Sequence, residues 1–89
     1  MQNQMEPSFS VLVMSIASNA QVCLGNVPDP QTEIKTVDLP MAKFNIDLLM
    51  MLEKKSKGNL TQDETQLIEF VVHDLQNHYL KAKQAGVNL

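Results

Sequence analysis

The chain has 89 residues, a net charge of −3 and a pI of about 5.1, which is enough chain for one small domain. All seven basic residues are Lys. The lack of Arg, with its bidentate grip on phosphate and guanine, argues against a nucleic-acid partner.

Hydrophobic residues make up 44% of the chain but aromatic residues only 4%, so Leu, Val, Ile and Met must fill the core. Cys23 has no second cysteine to pair with, which fits a reducing compartment. No basic segment with a cleavage signature opens the chain, so no signal peptide is read and a cytoplasmic protein is expected.

Residues 1–7 are polar, end in Pro7 and read as a flexible tail. No charged residue lies between Pro7 and Pro28. Ser8 or Ser10 can cap a helix over about 9–24, with Gly25 as its stop. Phe9, Leu12, Val13, Ile16, Ala17, Ala20, Cys23 and Leu24 share one face at 100° per residue. The opposite side carries Val11, Met14, Ser15, Ser18, Asn19 and Val22, none of them charged. A helix without charge on any side is usually covered on more than one. These six residues are therefore the candidate oligomer interface. The run is too short and too polar for a transmembrane segment.

Residues 25–38 form a connection that begins with the stiff Pro28-Asp29-Pro30. Weak alternation from Glu33 to Val37 suggests a short strand. Asp38 can cap a second helix over about 39–57, with Pro40 tolerated in its first turn. Met41, Ala42, Phe44, Leu48, Leu49, Met51 and Leu52 cover about half its circumference, more than one partner helix requires.

The junction from Lys54 to Glu64 reads as one helix ending and another beginning. Lys54, Lys55 and Lys57 suit the negative end of a helix dipole, either as a solvated end or as an anion or partner contact. Gly58 can take the left-handed conformation that closes a helix, and Thr61 with Glu64 has capping-box spacing. The third helix is expected over about 62–83, with residues 84–89 as a tail. Leu67, Ile68, Val71, Val72, Leu75, Tyr79 and Ala82 share its apolar face. Phe70 and Leu80 fall on its otherwise polar side and are candidate partner contacts.

Chemistry is sparse. His73 and His78 point about 140° apart on a helix and cannot share one ion there. Glu69 with His73, and Asp74 with His78, are four apart and can meet. They are the only basis for a metal-binding or enzymatic reading, and their spacing differs from the Glu-x-x-His of helical metal proteins. Cys23 lies on the apolar face of helix one, where burial raises a thiol pKa and dulls its reactivity. The three Gly are isolated and form no phosphate-binding motif. No catalytic residue, cofactor or metal is expected. Asn19 and Asn45 lie in or beside apolar arcs. Each is either bonded to backbone or water at a core margin or, for Asn19 above all, a register-setting polar group at an interface.

Several segments together resemble bacterial domain-of-unknown-function family 1844 (DUF1844). They are Phe9 to Ala17, Leu24-Gly25, Pro28-Asp29-Pro30, Asp38-Leu39, Ile46 to Leu49, Met51-Leu52, Lys55 to Thr61 with Glu64, and Asp74-Leu75 with Tyr79. The resemblance implies a short, mainly helical bacterial protein and assigns no activity or functional residue. Gln76 departs from it, because the family implies Arg there.

The fold expected is all-α. Helices two and three form an antiparallel hairpin, helix one packs across it, and oligomerisation completes the core. The leading functional expectation is a self-associating interaction or adaptor module, most simply a C2 dimer. The alternatives are a helical metal protein or enzyme using His73, His78, Asp74 and Glu69, and peripheral membrane attachment through helix one. The last lacks the Lys-rich polar face such helices use.

Overall fold

The computed structural model describes the backbone of residues 7–87 and the side chains of residues 7–85. Most of the expected tail 1–7, and residues 88–89, lie outside the described residues.

Ser8, in extended backbone, accepts a hydrogen bond on its side chain from the Val11 N–H at 3.1 Å and starts α1, Phe9–Cys23. Leu24 caps its C-terminus and Gly25 follows at φ +80°. Asp38 starts α2, Leu39–Lys55, by accepting from the Met41 N–H at 3.1 Å, with Pro40 in the first turn. Ser56 caps the C-terminus of α2, and Gly58 turns the chain at φ +88°. Thr61 and Glu64 then satisfy each other's backbone. The Glu64 N–H donates to Thr61 Oγ1 at 3.1 Å, and the Thr61 N–H donates to Glu64 Oε1 at 2.8 Å. From that capping box runs α3, Gln62–Val87.

All three helices pack against one another, with α1 lying across the α2–α3 hairpin. The hairpin is antiparallel: Met50 meets Gln76, and the N-terminal Lys43 end of α2 lies beside Tyr79 and Leu80 near the end of α3. Val13, Leu49, Ile68 and Leu75 are the largest fully buried side chains. Ala17, Ala20 and Ala42 are also buried, and such small residues let backbones approach closely.

Two expectations are corrected. No strand forms among the described residues. Residues 29–34 close a turn instead, with the Glu33 N–H on the Asp29 carbonyl, the Asp29 N–H on the Ile34 carbonyl and Glu33 at φ 60°. Alternation without a neighbouring strand leaves the ladder groups unpaired, so the turn wins. Helix α3 also runs past Lys83 to Val87, through the residues read as the start of a tail. Ala82, Lys83, Gln84 and Ala85 are all good helix formers, and one Gly near a helix end costs only about 1 kcal/mol.

The molecule is flat, with principal extents of 43 × 33 × 15 Å. Its radius of gyration is 14.2 Å, against about 12 Å for a compact chain of this length. A slab this thin has a small interior, and side chains on its outer faces stay wet.

Candidate functional site

The buried face of α1 is Val13, Ala17, Ala20 and Leu24. Its outer side is exposed and uncharged: Met14, Ser15, Ser18 and Asn19 are exposed, and Val11 and Val22 are half-buried. On α2 the buried face is Ala42, Asn45, Ile46 and Leu49. Met41, Phe44 and Met51 are left exposed on its far side, with Phe44 at 56%.

These two uncovered surfaces adjoin. Ser18, Asn19 and Val22 of α1 line a groove of about 490 Å³ with Met41, Phe44 and Asn45 of α2 and with Asp29, Pro30 and Gln31 of the connection. Asn45 is satisfied within its own helix, its Nδ2 donating to the Met41 carbonyl at 2.9 Å. Ser18 also borders a shallower groove with Ser10, Val11, Met14 and Ser15, about 320 Å³. The six candidate interface residues therefore lie along two grooves that share Ser18. The width of the α2 arc was the signal in the sequence for apolar surface beyond what the protomer core buries. Its union with α1 depends on the packing and has no local signature.

Phe70 is 69% exposed and Leu80 54% exposed. Ten residues separate them, about 15 Å along the helix axis and about 80° round it, so they do not form one patch. Leu80 lines an α2–α3 groove with Lys43, Asp47 and Tyr79. In the same groove Gln76 donates from Nε2 to the Met50 Sδ at 3.4 Å, a weak acceptor.

The titratable groups are dispersed. His78 Nε2 lies 3.8 Å from Asp74 Oδ1, and its Nδ1 lies 3.4 Å from Gln21 Nε2 across the α1–α3 contact. Sequence spacing finds the first contact but not the second, which joins residues 57 apart. Glu69 and His73 are both exposed. Among the described residues, no three His, Cys, Asp or Glu side chains come together as a metal-binding group. Cys23 is half-buried at the end of α1. Burial raises its thiol pKa, and the Asp38 and Asp29 carboxylates add to the shift by repelling a thiolate. Asp47 raises the pKa of the Lys43 ammonium by accepting its hydrogen bond at 2.9 Å. No described helix is long and apolar enough to cross a membrane.

Residues 6–81 match the family described as domain of unknown function (DUF1844). The chain belongs to this family. The matched span covers all of α1 and α2, the groove between them and most of α3. No curated protein and no solved structure matches the chain. Family membership therefore fixes which segments belong together and leaves the function to the surfaces just described.

Proposed function

We propose that this DUF1844 protein is a non-enzymatic interaction module that self-associates, as a C2 homodimer, through the joined outer faces of α1 and α2. The observation that carries the reading is the groove that Val22 lines with Met41 and Phe44. Its walls come from two helices, and the α1 wall holds no charge. A soluble monomer seldom leaves a broad contiguous apolar face uncovered. A single closed two-fold contact is the commonest way to cover one. The thin protomer supports the same reading, since a second copy supplies the layer that an 89-residue slab lacks. The lone Cys23 suits a reducing bacterial cytoplasm, where no disulfide would be needed to hold the pair.

Sedimentation equilibrium over a wide concentration range tests this. Twice 10.0 kDa is the expected mass for the wild type. Val22→Glu together with Phe44→Glu is expected to give 10.0 kDa with helical content retained by circular dichroism. A wild-type monomer at every concentration, or a double variant that still dimerises, rejects the surface.

A further inference from the structure

The geometry points to a specific pairing within that interface: α2 lies antiparallel against α2 of a second copy, in a register set by Asp47 and Lys54. The inference rests on the self-association proposed above and names its partner, its direction and its contacts.

Three exposed apolar residues of α2, Met41, Phe44 and Met51, form one seam with the half-buried Leu48, and the exposed Met50 lies off it toward α3. Met41, Phe44, Leu48 and Met51 are spaced three, four and three apart, the a and d positions of a heptad, and Lys55 continues it. This seam lies roughly 145° round the helix from the face that Ala42, Ile46 and Leu49 bury, so the core of the protomer does not use it. Phe44 is 56% exposed, while Met41 and Met51 are each 47% exposed. A heptad seam facing away from its own core has the spacing to take a second helix knobs-into-holes.

Charge selects the direction. The g positions beside the seam are Asp47 and Lys54, both exposed and of opposite sign. Two antiparallel helices related by a two-fold axis place a opposite d, and g opposite g. With Leu48 opposite Met51 of the second copy, Asp47 falls opposite its Lys54. The two-fold axis then makes the pair twice. The same register sets Lys55 against Phe44, where the Lys stem can cover the ring and its ammonium lie over the π face. A parallel pair would instead set Lys55 against Lys55 in the seam and leave Asp47 facing an apolar e position. Like charges facing each other inside an interface disfavour that arrangement. Within the protomer Asp47 is bonded to Lys43 at 2.9 Å on the α3 side of the seam, so the pair with Lys54 of the second copy shares that carboxylate.

Charge reversal tests the register. Wild type, Lys54→Glu, Asp47→Lys and the double reversal are compared by sedimentation equilibrium at low salt, with circular dichroism at the same concentrations to confirm the fold. Each single variant turns two attractions into two repulsions and is expected to weaken the dimer about tenfold. The double reversal, which rebuilds both pairs with opposite polarity, is expected to return to within about threefold of wild type. The contrast should shrink at high salt. Two singles are used so that one failing to fold does not decide the result. Singles that dimerise like wild type, or a double reversal no tighter than either single, overturn the register. If Val22→Glu with Phe44→Glu still breaks the dimer in that case, self-association stands and only the pairing falls. A wild-type chain that is monomeric throughout overturns both.

Discussion

The Asp38 N–H donates to the Cys23 carbonyl at 2.7 Å, so the residue that caps α2 is pinned to the last residue of α1. The bond closes the connection between the two helices into a loop with fixed ends. It also sets the angle at which α2 leaves, and hence where Met41 and Phe44 sit relative to Val22. Replacing Asp38 separates two of its roles. Asp38→Ala keeps the backbone bond but loses the side-chain cap on the Met41 N–H, and is expected to cost about 1 kcal/mol in urea unfolding. Asp38→Asn keeps a capping oxygen and should unfold near the wild-type midpoint.

Both variants remove the Asp38 carboxylate and should change the thiol chemistry of Cys23 in the same direction. Burial first, then Asp38 and Asp29, raise the Cys23 pKa. Less thiolate is present at a given pH than in an unfolded chain, so alkylation by iodoacetamide should reach its plateau at higher pH in the native protein than in urea. For stability the sign follows. The contribution from this thiol is full below its ordinary pKa and is lost as pH rises through the raised value. Asp38→Asn should move the native alkylation profile part of the way down, because it removes one carboxylate and leaves burial in place. An unmoved profile would show that Asp38 does not act on the thiol.

Gly25 and Gly58 both sit at positive φ, at +80° and +88°, but in different surroundings. A Cβ on Gly58 would meet nothing within 4 Å. Gly58→Ala should therefore cost only the left-handed backbone penalty, about 1 kcal/mol. A Cβ on Gly25 would lie 2.7 Å from Val37 Cγ2. Gly25→Ala should be the more destabilising of the two, since Val37 must also move. Equal denaturation midpoints for the two variants would mean that Val37 shifts at no cost.

The helical hairpin was legible in the sequence because its signals are local. Gly58, Thr61 and Glu64 lie within seven residues of chain, and their types and spacing give the φ, the cap and the reciprocal hydrogen bonds. The caps at Ser8 and Asp38 are legible for the same reason. Alternation from Glu33 to Val37 misleads because a strand needs a neighbour, and no local pattern says whether one exists. The Gln21–His78 contact and the groove between Val22 and Phe44 are set by how helices cross. Periodicity gives each helix an apolar arc, but not which part of that arc a neighbour covers. Asn45 shows the limit well. Its place beside an apolar arc admits either a backbone bond or a partner, and only the fold shows its amide on the Met41 carbonyl.

Stability and surface function should separate cleanly between Leu49 and Phe70. Leu49 is fully buried between α2 and its neighbours, whereas Phe70 is 69% exposed on the outer side of α3. Leu49→Ala leaves a cavity in a thin core that has few atoms to collapse into it, and is expected to cost about 2–5 kcal/mol. A domain of this size is stable by only about 5–15 kcal/mol at best, so the variant should be partly unfolded or strongly shifted in Tm. Phe70→Ser removes a larger side chain but buries no new polar group and opens no cavity. Its unfolding midpoint should stay within about 0.5 kcal/mol of wild type. The proposed dimer should be equally unaffected, because Phe70 lies on α3, away from the α1–α2 face. A large loss of stability in Phe70→Ser would mean that this ring is covered in solution, which would call for a second interface on α3.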